Sequence, residues 1–369
     1  MKSILEKDLW SITSFLENKN YKFNKENILT QLPEKFIDEA IKAISSWDNY
    51  APTPLVKLNK LNDELKFKNI YYKDEDKRFD LKSFKALGGA FAVYKIASEK
   101  KNITVSTATA GNHGRSVAWG AQRLGLKCKI FISEFVSESR AEAMRKLDAE
   151  VIRVKGNYDN SLKECIKQSK ENNWEIVQDV SWEGYKEVPK LIMAGYTIMI
   201  KEILDEVKSN SISHVFLQAG VGGMAAAMIA GFAKLSQNIP KFIIVEPENA
   251  DCVFQSIKNN KPTSVDIKKE TVMGGMSCGD VSNIAWEILK NSSNYCLTIS
   301  DEAISTTVAL LAEKRLSDEK IIAGECAVPG VIALIGSFNN KEYLDKLELN
   351  EQSNVLLFGC EGLTDNAMY

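Results

Sequence analysis

What most constrains the fold of this chain is an alternation of short apolar runs with helix-length amphipathic segments. The apolar runs fall at Asn69–Lys73, Thr104–Thr107, Cys128–Ile132, Glu150–Val154, Glu175–Asp179, His214–Gln218, Phe242–Glu246 and Val355–Cys360. Between most of them lie segments such as Gly114–Leu124, Ser139–Leu147, Asn160–Asn172 and Val188–Val207, whose apolar residues recur at helical spacing. Strands buried on both faces read as continuous apolar runs. Strand, helix, strand at this spacing therefore predicts an α/β fold of mainly parallel sheets flanked by helices. In such sheets ligands bind beyond the carboxyl ends of the strands, so chemistry is sought in the strand-to-helix turns. Residues 1–50 read as a polar, helical lead-in that ends at the turn-rich Ala51-Pro52-Thr53-Pro54. Charge is locally enriched at Lys73–Arg78 and at Lys258–Glu270; the second stretch contains Pro262 and reads as a solvated loop.

Composition then removes whole classes of function. The length of 369 residues suggests about two domains. Forty-seven Lys and Arg against 49 Asp and Glu leave a formal charge of −2, so no positive field draws the chain to nucleic acid or to an anionic membrane. Only two histidines occur, His113 and His214, too few for a His-rich metal centre, and no metal is expected. The seven cysteines are scattered and never spaced C-x-x-C, which argues for a reducing compartment. The most apolar stretches, Gly220–Ala233 and Val328–Phe338, fall short of the roughly 20 residues that span a bilayer. The opening Met-Lys-Ser-Ile-Leu-Glu-Lys-Asp is charged where a secretory signal needs an apolar core, and a cytoplasmic protein is expected.

Three turns carry residues suited to chemistry. In Ser83-Phe84-Lys85-Ala86-Leu87-Gly88-Gly89, a lysine opens a helix of small residues. Beside the positive end of a helix the ammonium form is disfavoured, and a neutral amine is what Schiff-base formation requires. Gly88 and Gly89 permit close approach to the helix backbone. In Thr107-Ala108-Thr109-Ala110-Gly111-Asn112-His113-Gly114, small residues open space for a ring, and the Asn112 amide can bond a phenolate oxygen without titrating. In Gln218-Ala219-Gly220-Val221-Gly222-Gly223-Met224-Ala225, glycines free N–H groups at a helix start, an anion site for which phosphate is the expected occupant.

Each turn taken alone has another reading. Lys85 also reads as a surface lysine, and Asn112-His113 as a simple helix cap. Gly220-x-Gly222-x-x-Ala225 matches a dinucleotide fingerprint, with Glu246 ending the next strand where a ribose partner belongs, as in a nicotinamide-dependent oxidoreductase.

Together and in this order, the Ser-x-Lys, Ala-Gly-Asn-His and Gly-Val-Gly-Gly turns resemble the fold-type II pyridoxal-phosphate enzymes, the tryptophan synthase β-like group. The resemblance narrows through Thr53-Pro54-Leu55, Arg78-Phe79, Gln178-Asp179-x-x-Trp182-Glu183-Gly184-Tyr185, Met273-Gly274-Gly275-Met276-x-Cys278-Gly279 and Glu361-Gly362-x-Thr364-Asp365. These are similar to the diaminopropionate ammonia-lyase family and run from about residue 50 to the carboxyl terminus.

The resemblance implies a two-domain α/β enzyme with pyridoxal 5′-phosphate in the cleft between its domains. Residues 1–89 and 200–369 would form the large cofactor-binding domain, and residues 90–199 a small mobile one. It implies that Lys85 holds the cofactor covalently and later takes the α-proton of the substrate, and that Asn112 bonds the cofactor's O3′. Gly220, Val221, Gly222, Gly223 and Met224 would bind its phosphate, and Cys360 would face the pyridine nitrogen. A thiol, with an ordinary pKa of about 8.5, does not keep that nitrogen protonated, which suits β-elimination over transamination. Asp179 matches a family acid and is expected either to bind a second ammonium group or to assist proton transfer; its other reading is a helix cap ahead of Trp182. Ser83, Thr109, Ala110, Gly111, His113 and Asp179 would line a small amino-acid substrate. The family pattern also implies a homodimer.

One position departs from that pattern. The residue before Gly-Asn-His is typically an aspartate, and here it is Ala110, as in serine and threonine dehydratases of the same fold. The expected reaction is α,β-elimination of 2,3-diaminopropionate, the L isomer, to pyruvate and ammonia. A dehydratase acting on L-serine or L-threonine and a catalytically silent cofactor-binding sensor remain as alternatives. The role of Cys326 is left open.

Overall fold

The computed structural model describes residues 9–207 and 212–364; the charged amino-terminal octet and Asp365 lie outside the described residues. Its strands are β1 Ile12–Glu17, β2 Leu55–Lys57, β3 Asn69–Asp74, β4 Thr104–Ala108, β5 Lys127–Ser133, β6 Glu150–Val154, β7 Glu175–Ile176, β8 His214–Gln218, β9 Lys241–Pro247, β10 Tyr295–Ile299 and β11 Asn354–Gly359. They form two sheets in two compact units.

The first unit comprises described residues within 9–33, 52–76 and 199–362. Its seven strands run in the order β1-β10-β9-β8-β11-β3-β2. The five inner strands are parallel, while β1 and β2 pair antiparallel at the edges. Every residue of β8, β10 and β11 is buried, so both faces of the sheet are covered. The covering layers include the helices Gly223–Leu235 and Pro329–Asn339, buried over Met224–Ala233 and Pro329–Ser337 respectively. These are the apolar stretches of the sequence, and no helix among the described residues is long and apolar enough to cross a membrane.

The second unit comprises residues 34–51, 77–198 and 363–364 of those described. Its sheet, β6-β5-β4-β7, is parallel throughout. The helix Lys85–Glu99 packs between its neighbours through glycine. A Cβ on Gly88 would lie 2.5 Å from the Ile192 carbonyl oxygen, and one on Gly89 would lie 2.9 Å from Ser116 Cβ. The close approach expected at Gly88 and Gly89 is thus made by the helices Glu187–Tyr196 and Asn112–Arg123.

Several elements differ from expectation. The lead-in contains the helices Lys25–Gln31 and Glu34–Ser45, but also β1. In β1, Ile12, Phe15 and Leu16 are half-buried while Thr13, Ser14 and Glu17 are exposed, a pattern with neither clean alternation nor helical period. β2 and β10 also lie outside the expected runs. The apolar run 188–207 is two helices rather than one, Glu187–Tyr196 and Ile198–Val207. At the break, Thr197 turns its hydroxyl back onto the Ala194 carbonyl at 2.6 Å. The strand expected at Glu175–Asp179 ends at Ile176, which frees Gln178 and Asp179 for side-chain roles. The boundary placed at residue 89/90 falls inside the continuous helix Lys85–Glu99, and residues 34–51 and 77–89 group with the second unit. Lys258–Glu270 is largely exposed, whereas Lys73, Glu75 and Arg78 of the other charged stretch are almost completely buried.

Candidate active site

In the second unit the chain reaches Lys85 through a tight turn. Phe79, Asp80 and Lys82 have φ of 51°, 58° and 56°. Each such left-handed residue costs roughly 1–2 kcal/mol, so neighbouring structure must hold it. Phe79 is held by rings: its centroid lies 4.6 Å from Trp119, 5.8 Å from Trp47 and 6.5 Å from Tyr50. Beyond the turn, buried Ser83 accepts a hydrogen bond from the Lys85 backbone N–H at 3.3 Å. Lys85 is the first residue of its helix, as expected.

The Lys85 amine is paired with Asp179 Oδ2. This alters the expected electrostatics. The helix end disfavours the ammonium, but a carboxylate in direct contact favours it more strongly, because charge–charge attraction in a desolvated site exceeds a terminal dipole effect. Burial alone would raise the Asp179 carboxyl; the charges of His113 and Lys85, with the Lys85 hydrogen bond, instead hold it well below the ordinary carboxylate range. No helix begins at Trp182, so Asp179 is not a cap. The segment after it forms a tight turn closed by the bridge Trp182–Tyr185, with the two rings stacked at 4.1 Å.

Asp179 is aimed by two residues that sequence reasoning did not assign to the site. Buried Gln178 uses its whole amide. Its Oε1 accepts from Thr107 Oγ1 (2.9 Å) and the Ala108 N–H (3.1 Å), and its Nε2 donates to the Ala108 carbonyl (2.9 Å) and Tyr158 Oη (2.7 Å). The Tyr185 hydroxyl accepts from the Gln178 N–H at 2.8 Å and donates to the Ile176 carbonyl at 2.9 Å. Both belong to the Gln-Asp-x-x-Trp-Glu-Gly-Tyr motif, which was the available signal.

The asparagine turn follows β4. Asn112 is the first residue of the helix Asn112–Arg123, and Gly111 rather than Asn112 occupies the cap position. Thr109 is buried, and its Oγ1 accepts from the N–H groups of Gly111 (3.0 Å) and Gly114 (3.2 Å), which fixes the loop. His113 is buried with Nε2 2.7 Å from the Val177 carbonyl and Nδ1 3.7 Å from Asp179 Oδ2. Ala110 is exposed, and its carbonyl accepts from Arg140 Nη1 at 3.3 Å. Arg140 is a cation beside position 110 that no sequence motif singled out.

The glycine turn and Cys360 belong to the first unit. Gly222, with φ of 86°, caps the helix Gly223–Leu235, and no side chain caps it. The first N–H groups of that helix have no preceding helical carbonyl to bond, and with the dipole they suit a phosphate. A Cβ on Gly220 would lie 2.9 Å from Cys278 Sγ and 3.1 Å from the Gly275 carbonyl oxygen, so the Met273–Gly279 motif packs on this turn and only glycine fits. Gly223 opens the helix, Met224 is buried, and the Val221 carbonyl accepts from the Ser282 N–H at 2.9 Å. Cys360 is buried and directs its thiol at the Cys326 carbonyl, 3.1 Å away. The same carbonyl accepts from Gln218 Nε2 at 3.0 Å. Cys326 itself is buried, donates its N–H to Glu361 Oε1 at 3.2 Å, and has its thiol pushed well up by burial. Within its own unit each group suits pyridoxal phosphate: the glycine turn offers free N–H groups for a phosphate, and Lys85 offers a half-buried amine at a helix start.

Glu246 does not fit a ribose. It is fully buried and accepts from the N–H groups of Val253 (2.8 Å) and Phe254 (2.6 Å), capping the helix Cys252–Asn259. Its carboxyl is pushed well up by burial. The dinucleotide alternative thereby loses its acidic residue.

Comparison with known proteins identifies the family. The model of the family described as pyridoxal-phosphate dependent enzyme matches residues 47–361. Diaminopropionate ammonia-lyase of Escherichia coli is 34% identical over 345 residues, covering 87% of this chain and 86% of that protein. The Salmonella typhimurium enzyme of the same name is 35% identical over 353 residues, covering 87% of each. The crystal structure of the Escherichia coli enzyme with an aminoacrylate-PLP azomethine reaction intermediate matches with a TM-score of 0.89 at 32% identity, covering 97% of this chain and 96% of that one. The chain therefore belongs to the pyridoxal-phosphate dependent enzymes and, among them, to the diaminopropionate ammonia-lyase family.

Proposed function

We propose that the chain eliminates ammonia from L-2,3-diaminopropionate, giving pyruvate and a second ammonia after hydrolysis. The observation that carries this reading is the pairing of Lys85, at a helix start, with a desolvated Asp179. Lys85 would hold pyridoxal 5′-phosphate through its amine, Asn112 at the phenolic oxygen, Gly220 to Met224 at the phosphate and Cys360 at the ring nitrogen. When bound, that group supplies an electron sink for the carbon that loses its proton.

The chain's own residues do the rest. Lys85, released as a free amine, takes the α-proton at Nζ. N–H groups at the start of the helix Asn112–Arg123, in the loop that Thr109 fixes, bind the substrate carboxylate, with Ser83, Gly111 and His113 around them. Asp179 accepts hydrogen bonds from the substrate's second ammonium group and so selects a diamine. Ala110 has only a methyl group and moves no proton, which supports the L isomer.

The test is a panel assay on cofactor-loaded protein with L- and D-2,3-diaminopropionate, L-serine and L-threonine, measuring oxo acid and ammonia. The expected result is two ammonia per pyruvate from the L-diamine. Ammonia from the hydroxy amino acids alone marks a dehydratase, and no release from any of them marks a sensor.

A further inference from the structure

His113 has an imidazole that the fold fixes in one tautomer and uses on one side only. It is buried near the start of the helix Asn112–Arg123. Its Nε2 lies 2.7 Å from the Val177 carbonyl oxygen. A carbonyl oxygen accepts and never donates, so Nε2 carries the hydrogen and the neutral ring has its lone pair on Nδ1. That Nδ1 is buried without a hydrogen-bond partner, 3.7 Å from Asp179 Oδ2. Lys85 Nζ is paired with the same carboxylate oxygen.

A lone pair and a carboxylate facing each other in a desolvated site repel. One cation relieves this, and two groups can supply it: an ammonium at Lys85 or an imidazolium at His113. Both together set two adjacent cations, one of them buried, on one carboxylate oxygen, and neither leaves that carboxylate uncompensated. We propose that His113 is the proton-holding partner of Lys85. When Lys85 gives up its charge, the proton passes by way of Asp179 Oδ2 to His113 Nδ1, and it returns when Lys85 is charged again. One N–H bond breaks at Nζ and one forms at Nδ1. His113 is then a positioning residue that acts through Asp179, and it supplies the neutral amine that the helix end alone does not. The inference rests on the proposed role of Lys85 and deepens it.

The charged groups that act on His113 are Asp179 and Lys85. Burial is the largest influence and lowers its pKa, Asp179 raises it, and Lys85 lowers it. Loss of the Lys85 charge removes one of the two lowering influences. The neighbouring Tyr185 and Tyr196 hydroxyls do not compete for the proton, because burial pushes both far up and keeps them neutral.

The chain's two histidines make the test direct, since His214 serves as an internal standard. Full-length protein carrying ¹⁵N-histidine, without added cofactor, is titrated by NMR. Lys85→Met is expected to raise the His113 midpoint by about one unit, a tenfold gain in proton affinity, with the new hydrogen on Nδ1. The His214 midpoint stays where it is, and adding Asp179→Asn cancels the gain. An unmoved His113 midpoint in Lys85→Met, or a wild-type tautomer with its hydrogen on Nδ1, overturns the proposal. A second variant, His113→Gln, retains a donor for the Val177 carbonyl and has nothing to titrate at Nδ1. Its absorbance-monitored condensation with added pyridoxal phosphate is expected to need a pH about one unit higher than wild type; an unchanged profile overturns the proposal as well. The NMR measurement involves neither substrate nor turnover. A negative lyase assay beside an intact Lys85→Met shift therefore removes the proposed function alone, and the reverse pattern removes the proton exchange alone.

Discussion

Lys85 and Asp179 form an ion pair across 94 residues of sequence, joining the first residue of one helix to the loop after β7. Their side chains are 27% and 14% exposed, open enough to react and dry enough to feel each other's charge. Asp179→Asn retains the shape and removes the charge. Because positioned proton-transfer groups contribute about 10²–10⁴-fold, kcat/KM on L-2,3-diaminopropionate is expected to fall at least about 100-fold. Lys85→Ala is expected to abolish both turnover and the visible absorbance of bound cofactor. Steady-state kinetics and an absorption spectrum check the pair. A well-folded Asp179→Asn enzyme with wild-type kcat/KM removes Asp179 from the machinery.

On the proposed reading, Ala110 leaves one face of the substrate without a base. Its exposed carbonyl sits against Arg140 Nη1, so a carboxylate introduced here meets a guanidinium that holds it ionised. Ala110→Asp is expected to raise the ratio of D- to L-2,3-diaminopropionate kcat/KM by about tenfold, equivalent to about 1.4 kcal/mol at the transition state. The measurement is kcat/KM for each isomer with the pure variant. An unchanged ratio in a folded protein sinks this reading of position 110.

The sheets were legible because strands buried on both faces leave no room for polar residues; β8 was expected at His214–Gln218 and lies there. The edge strand β1 escaped because half its side chains face solvent, so neither period dominates. Helix starts were legible at Lys85 and Gly223, where small residues and glycine mark a turn that a ligand can approach, whereas the helix expected from Gly114 begins two residues earlier at Asn112. Pairings were not. Nothing local in Gln178-Asp179 says that the amide pins β4 or that the carboxylate meets Lys85, since those contacts depend on loop closure over 70 residues or more. Charge misleads in the same way: Lys73–Arg78 is a run of charge, yet Lys73 is buried because Glu202, 129 residues on, neutralises it.

That buried pair carries a stability prediction. Lys73 Nζ lies 2.6 Å from Glu202 Oε2, with the two side chains 1% and 2% exposed, and also donates to the Thr53 carbonyl at 2.7 Å. The Thr53 N–H donates to Glu202 at 3.3 Å, and the Thr53 hydroxyl to Glu75 at 2.6 Å, so the pair anchors the turn before β2 to the helix Ile198–Val207. Removing one partner of such a pair strands a buried charge and costs about 3–5 kcal/mol, whereas replacing both by apolar groups is often neutral. Glu202→Ala is expected to destabilise by that amount in chemical denaturation, and Lys73→Met with Glu202→Leu to recover most of it. A cost under about 1 kcal/mol for Glu202→Ala alone contradicts the assignment.

His214 determines part of the acid limit of the fold. It is buried, with Nε2 2.9 Å from the Leu347 carbonyl and Nδ1 2.8 Å from Ser213 Oγ, and burial lowers its pKa below the ordinary 6.5. Between the folded and unfolded values the unfolded chain binds more protons, so stability rises with pH across that window. The contribution is complete above about pH 6.5 and is lost as pH falls through the folded value, at about 1.4 kcal/mol for each unit of depression. His113 has the same sign, because burial lowers it too. The midpoint of thermal unfolding is therefore expected to fall on acidification from pH 7 to pH 5. In His214→Gln the fall is expected to be shallower, with the His113 share remaining. A slope identical to wild type shows that His214 titrates alike in both states and defeats the argument.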